Sequence, residues 1–312
     1  MSNFMICVNA VVPIFLLIAT GYGAKRAGFI REEEVPRMNA VAFKVFMPLM
    51  CFYNLYNSNL SSAVRPGLIA FAVLGVLAAY ALSLCYAVLF VRQRNRKGVV
   101  IQGIYRSNFL IIGFPFAAGL VGEMDLGVVA VLSAIVVPIF NVLAVVTLEA
   151  YNGKTPEIRK LLFEIVKNPL IQGSVVGIVF LAAGIRLPAS VEKAVGDLSG
   201  IASPLLLFLL GAFFKLGGFR AHIPELMAVC LGRLVVIPAL ALSAAVWLGF
   251  RGIEFVTLLG IFASSTAANS FTMAQQMGGD PDLAGDIVVL TSALCSFTLF
   301  AWSLLFKQMG IY

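Results

Sequence analysis

The stretch Arg106-Ser107-Asn108-Phe109-Leu110-Ile111-Ile112-Gly113-Phe114-Pro115 lies inside an apolar run at about 102–121, and Ser264-Ser265-Thr266-Ala267-Ala268-Asn269-Ser270 lies inside another at about 253–277. Each run is long enough to cross a bilayer, for which about 20 apolar residues suffice, yet each carries a polar interruption. In hydrocarbon an unpaired backbone amide or carbonyl costs several kcal/mol, so a spanning helix is broken only where protein or a water-filled cavity satisfies the freed groups. In Gly113-Phe114-Pro115 the glycine permits unusual torsions and the proline lacks an amide donor, so the break is expected there. In Ala268-Asn269-Ser270 no proline is present, and the polar side chains are expected to cap the half-helix that follows.

Around these two runs the composition sets the class. Of 312 residues 61% are hydrophobic and 12% are charged, against roughly 45–50% and 25% in a soluble domain. A water-soluble monomer is excluded. Ten apolar windows can be counted, at about 4–24, 38–57, 67–91, 102–121, 127–149, 169–185, 195–215, 224–249, 253–277 and 283–306. The first begins with no basic residue before it and is expected to be retained rather than cleaved as a signal. The net charge of +7 comes from short basic clusters between apolar runs, which reads as a topology signal and not as a nucleic-acid surface. Lys and Arg are densest in the connections near 25–37, 92–97, 154–167 and 215–220. The positive-inside rule puts these in the cytoplasm and both termini outside, for a multi-pass protein of the cytoplasmic membrane.

Sliding the chain against itself by 156 residues, half its length, brings Pro13 onto Pro169, Gly21 onto Gly177, Ala27-Gly28 onto Ala183-Gly184, Pro48-Leu49 onto Pro204-Leu205, Phe52 onto Phe208 and Gly122 onto Gly278. Two five-crossing units, 1–156 and 157–312, are therefore expected. Because each has an odd number of crossings, the second enters from the opposite side, which is the inverted-repeat design of secondary transporters. The fold expected is an all-α integral membrane protein of ten transmembrane helices in two inverted five-helix repeats. The fourth and ninth helices are expected to be broken. Gly113 overlays Asn269 at the same offset, and two half-helices starting near 116 and 271 would direct positive N-terminal ends into one cavity that attracts anions.

The other polar residues within apolar runs are few. Tyr53 and Asn54 follow Pro48, and Asn141 follows Pro138; each reads either as interhelical packing or as a substrate contact. Arg106 reads as snorkelling to the cytoplasmic interface, with anion attraction as the alternative. Lys44 and Arg233 fall either within or at the edge of their windows. None of the 15 acidic residues clearly sits at the midplane, which disfavours a dedicated cation exchanger. His222 is the only histidine and sits in a connection, so no histidine-based metal or triad site is expected. Asp280, Asp282 and Asp286 read as a turn with solvated acids. The five cysteines lie within apolar runs as small hydrophobes. No disulfide, metal or cofactor is expected.

Val12-Pro13-Ile14-Phe15 through Gly21-Tyr22-Gly23 to Gly28-Phe29, then Asn39 and Phe46-Met47-Pro48-Leu49, resembles the auxin efflux carrier family. Arg106-Ser107-Asn108-Phe109 with Gly113-Phe114-Pro115, and Ala267-Ala268-Asn269-Ser270-Phe271, carry its more specific part, and the resemblance spans essentially the whole chain. It implies a homodimeric transporter divided into a scaffold and a transport subdomain, each drawing on both repeats, with the two broken helices crossed and the substrate carboxylate near the crossing. Bacterial members are described as malonate or malate permeases, whereas plant relatives export auxin. Two departures stand out. Many members place a proline before the ninth-segment asparagine, where this chain has Ser264-Ser265-Thr266, and the third segment lacks the carboxylate of plant relatives.

The expected function is alternating-access transport of a small organic anion, either a dicarboxylate of the malonate or malate type or an auxin-like carboxylate. Asn108, Asn141, Asn269, Ser270, Tyr53, Asn54 and Thr266 are the candidate substrate residues. Gly113, Phe114, Pro115 and Ala268 are the candidate crossover residues, and Arg106 is the anion-attracting one. An anion channel or a ligand-sensing membrane protein is the competing reading; an enzyme finds no catalytic cluster.

Overall fold

The computed structural model describes residues 3–31, 33–57, 66–121, 126–152, 166–213 and 222–312. The basic connections at 154–165 and 215–220 used for orientation, and Gly122 of the repeat, lie outside the described residues. The described chain is all-helical. Its elements are α1 (Asn3–Arg26), α2 (Glu34–Tyr56), α3 (Pro66–Phe90), α4 (Arg94–Tyr105), α5 (Phe114–Val121), α6 (Leu126–Tyr151), α7 (Pro169–Ala183), α8 (Ala189–Phe213), α9 (Ile223–Trp247), α10 (Gly252–Ala263), α11 (Asn269–Gln276) and α12 (Pro281–Gln308). Six of these, α2, α3, α8, α9, α12 and the Val131–Tyr151 part of α6, are long and apolar enough to cross a membrane, and α7 and α10 are shorter apolar helices. The protein is a multi-pass membrane protein.

Helix α3 shows how its sequence suits lipid. Its buried positions are Leu68, Ala72, Val76, Ala79, Ser83 and Ala87, three or four residues apart, while Leu74, Leu77, Leu82, Val88, Leu89 and Phe90 are exposed. Four of the six inward positions are Ala or Ser, whereas the large apolar residues are mostly outward, as expected where lipid is the solvent and close backbone approach drives helix association.

The same principle governs the pairing of α1 with α8 and of α2 with α7. A Cβ on Gly21 would lie 1.9 Å from the carbonyl oxygen of Phe208, and one on Gly211 1.9 Å from that of Ile18, so α1 and α8 touch through backbone. On the other pair, a Cβ on Gly177 would lie 2.9 Å from the carbonyl oxygen of Phe52. Gly21 and Gly177, and likewise Phe208 and Phe52, are partners in the 156-residue slide.

The helices fall into two packed groups. One holds α1, α2, α7 and α8; the other holds α3 to α6 and α9 to α12, with α1 also leaning on α12. Asn39 of α2 clasps them together, donating from Nδ2 to Gln275 Oε1 (2.6 Å) and accepting from Thr272 Oγ1 (2.7 Å), both on α11.

Three π turns, Ala42–Phe46, Phe109–Gly113 and Gly232–Val236, each run just ahead of a proline, Pro48, Pro115 and Pro238, and each contains the residue four positions before it. A proline in a regular helix clashes with the carbonyl four residues back, and a widened turn relieves that crowding.

Candidate functional site

Both interruptions are present, but the first is not where Gly113 and Pro115 suggested. Helix α4 ends at Tyr105, and Arg106 is extended (φ −84°, ψ 113°). The chain resumes at Phe109 in a π turn that passes into α5. The break is therefore Arg106-Ser107-Asn108, while Phe114 and Pro115 open the helical stretch after the π turn. Gly113 serves a different purpose: a Cβ there would lie 2.6 Å from the carbonyl oxygen of Gly260, so the two glycines let the π turn and α10 touch. In the second run α10 ends at Ala263, Ser264 is extended (φ −73°, ψ 165°), and α11 begins at Asn269. The expected side-chain cap on α11 does not form: Ala268 occupies the cap position, and the Asn269 side-chain oxygen has no partner among the described residues.

The two extended breaks meet as a short antiparallel pair with Ser107 opposite Thr266. The Asn108 amide donates to the Ser265 carbonyl (2.8 Å), and the Ala267 amide to the Arg106 carbonyl (3.2 Å). Side chains satisfy other freed groups. Thr266 Oγ1 donates to the Gly103 carbonyl (2.7 Å), Ser264 Oγ to the Gly260 carbonyl, and the Ser107 and Ser264 hydroxyls lie 3.0 Å apart. Thr291 and Ser292 of α12 back the crossing, with Thr266 N donating to Thr291 Oγ1 (3.3 Å) and Ser292 Oγ to Ser265 Oγ (3.2 Å). The Ser264-Ser265-Thr266 run thus hydrogen-bonds a broken backbone through the protein's own groups.

Two buried arginines flank the crossing, each 1% exposed. Arg233, on α9, donates from Nε to the Ser264 carbonyl (2.7 Å), from Nη1 to the Tyr105 carbonyl (3.2 Å) and from Nη2 to the Ile261 carbonyl (2.9 Å). Arg106 does not snorkel. It turns inward, donating from Nη2 to Asn141 Oδ1 (2.7 Å) and from Nη1 to Met273 Sδ (2.8 Å) and Gln102 Oε1 (3.4 Å). Among the described residues no carboxylate pairs with either guanidinium.

Beside Arg106 lies a partly enclosed cavity of about 50 Å³. Arg106, Ser107, Asn108, Asn141, Asn269 and Asn54 line its polar part, with Ala268, Met50, Cys51, Phe109, Phe140 and Leu206 among the apolar lining. Asn141 is held between Arg106 and Cys51, donating from Nδ2 to Cys51 Sγ (3.3 Å). Among the described residues three buried polar atoms are left without a partner: Asn108 Nδ2, Asn269 Oδ1 and Ser270 Oγ. Leaving such a group unpaired costs about 1–3 kcal/mol. Asn108 and Asn269 line the cavity, so two of the three lie on its wall.

The other candidate residues lie elsewhere. Tyr53 stacks on Tyr56 (6.2 Å between ring centres) and packs against Gly196, Thr266 is spent on the crossing, and Ser270 is buried beside Gln102, which donates to its carbonyl (3.2 Å). Lys44 is exposed. The acids near 280 are not all solvated. Asp280 caps α12 through Leu283 N (3.0 Å) and pairs with Arg96 (2.9 Å), which also meets Glu225 (3.1 Å). Asp286 is buried 3.0 Å from His222 Nδ1. Met50, Cys51, Gln102 and Met273 are contributors that sequence reasoning missed; for Gln102 and Met273 their place one turn from a helix break was the available signal, and for Met50 and Cys51 there was none.

A membrane-embedded bundle that crosses two interrupted helices beside a cavity with an uncompensated buried charge has the architecture of a membrane transporter. The sequence comparisons agree. A family model described as "Membrane transport protein" matches residues 6–303, and the chain belongs to that family, which is that of the auxin efflux carriers. An uncharacterized transporter of Methanothermobacter thermautotrophicus is 25% identical over 307 residues, covering 96% of this chain and 98% of the relative. An uncharacterized transporter of Methanocaldococcus jannaschii is 22% identical over 312 residues, covering 96% and 100%.

Proposed function

We propose that this protein carries a small organic anion across the cytoplasmic membrane by alternating access, with the anion bound in the cavity beside the crossing. The observation that carries this reading is Arg106: a buried guanidinium, paired with no carboxylate among the described residues, on the wall of a cavity that also holds the unpartnered amide of Asn108. A guanidinium stays protonated in proteins and is seldom left buried without a counter-charge. A carboxylate entering the cavity supplies that charge, accepts from Arg106 and Asn108, and meets the positive N-terminal end of the segment that begins at Phe109.

Counting α4 with α5 and α10 with α11 as single interrupted crossings gives ten, five in each of the units 1–156 and 157–312. The matched backbone contacts Gly21 to Phe208 and Gly177 to Phe52 support an inverted repeat, because repeat partners exchange roles across the two helix pairs. In this reading α1, α2, α7 and α8 form the scaffold and the other group, with the cavity's charge, moves against it. Dicarboxylates of the malonate and malate type and auxin-like acids are the substrates to try first, and the scaffold surface is where a second copy would dock.

Uptake of radiolabelled carboxylates into proteoliposomes tests the reading, with counterflow separating a carrier from a channel and absence of flux separating it from a sensor. Asn108→Ala and Asn269→Ala are expected to weaken uptake at least tenfold while the protein remains monodisperse. Unchanged uptake in both variants would remove the crossing as the site.

A further inference from the structure

The crossing brings two helix C-terminal ends together, and their carbonyls need partners. The last four carbonyls of a helix have no intrahelical partner, and each end carries a partial negative charge of about half an electron. At α4 the Gln102 carbonyl accepts from Arg106 N (3.0 Å), that of Gly103 from Thr266 and that of Tyr105 from Arg233. At α10 the Gly260 carbonyl accepts from Ser264 and that of Ile261 from Arg233, which also binds the Ser264 carbonyl just beyond the helix. One guanidinium therefore joins both ends. In secondary transporters with discontinuous helices, unwound carbonyls and half-helix C-terminal ends commonly coordinate the coupling sodium ion.

We infer that Arg233 is a tethered cation in the place a coupling sodium would take, so that the crossing is assembled, and its anion bound, without sodium. Three carbonyls lie 2.7–3.2 Å from the nitrogens of one guanidinium, and carbonyl oxygens are the kind of ligand such an ion takes. The guanidinium is permanently charged, and its planar fork suits several acceptors at once. The position that pairs with Arg233 in the 156-residue slide is Leu77, an exposed apolar residue of α3, so a single residue from the second half serves both ends. Arg233 lies outside the lining of the anion cavity and is a positioning residue, not a substrate contact.

The test compares melting of the purified full-length protein in NaCl, KCl and choline chloride at one ionic strength, for the wild type and for Arg233→Lys, Arg233→Met and Arg233→Ala. The wild type is expected to melt at the same temperature in all three salts. Arg233→Ala is expected to melt several degrees lower and to recover with added sodium or ethylguanidinium. Arg233→Lys, which keeps the charge, should retain more stability than the similarly long Arg233→Met. A saturable sodium stabilisation of the wild type, an Arg233→Met protein as stable as the wild type, or a folded Arg233→Ala that no cation rescues would overturn the inference. If Arg233→Ala yields no folded protein, Lys against Met decides, and equal loss in those two overturns it. The melts do not depend on transport: a wild type that moves no carboxylate in any salt refutes the proposed function and leaves this inference to be judged on its own data.

Discussion

Replacing Asn141 by aspartate puts a carboxylate where the cavity has none. Asn141 Oδ1 already lies 2.7 Å from Arg106 Nη2, and Asn141→Asp changes one atom of the side chain, so the geometry of the pair is retained. Two unit charges about 4 Å apart attract by about 4 kcal/mol at an effective dielectric constant near 20, which corresponds to about a thousandfold in an equilibrium constant. The internal carboxylate then competes with the external one for the same guanidinium. Thermal-shift titration of the purified protein with the carboxylate that stabilises the wild type best, at pH 8, measures this directly. The variant is expected to melt at or above the wild-type temperature without ligand and to lose anion affinity by two to three orders of magnitude. If Asn141→Asp binds the anion as tightly as the wild type, Arg106 is not its counter-charge and the site is misassigned.

Three other perturbations read the packing. Gly211→Val sets a branched side chain against the Ile18 backbone on α1; overpacking of this kind costs about 1–3 kcal/mol, and a melt of the detergent-solubilised protein should fall by several degrees, whereas an unchanged melt would deny the close contact. Thr266→Val keeps the shape but strips the Gly103 carbonyl of its donor, a loss of about 1–3 kcal/mol that should also hasten amide exchange at Asn108 and Ala267; unchanged exchange would show that the hydroxyl does not hold the crossing. Asp280→Ala removes the α12 cap and a partner of Arg96, and should lower stability by about 1 kcal/mol, with a smaller effect in high salt, where the wild-type ion pair is itself screened.

Much of this arrangement could be read from residue order because membrane helices declare themselves by length and apolarity. The paired interruptions followed from Asn108, Gly113 and Pro115 in one run and Asn269 and Ser270 in the other, and Asn108, Asn141 and Asn269 do line one cavity. The exact break was misplaced because Gly113 and Pro115 each have a second use. Gly113 admits the backbone of Gly260, and Pro115 is accommodated by a π turn, so neither bends the chain as a local reading suggests. The arginines illustrate a different limit. Whether Arg106 reaches the interface or turns inward depends on Asn141, 35 residues later, and the role of Arg233 on carbonyls of two other helices. Likewise His222, placed in a connection, finds Asp286 across 64 residues. Apolar periodicity reports how a helix meets its surroundings and is silent on which distant polar group will be beside it.

The Ser107–Thr266 pairing also constrains how the chain is made. Among the described residues the Arg106 carbonyl and the Asn108 amide find their backbone partners in the segment around Thr266, and at about 5–20 residues per second that segment leaves the ribosome roughly 10–30 s later. In that interval the first interrupted helix has no dry partner for its open middle and is expected to linger in a hydrated site at the insertion machinery. Release into the bilayer then becomes a late event, timed by synthesis of the second half. Ribosome-stalled chains ending shortly before and well after Thr266 should differ in the access of a water-soluble thiol reagent to a cysteine at position 107, and equal access would dissociate insertion of the first half from completion of the second.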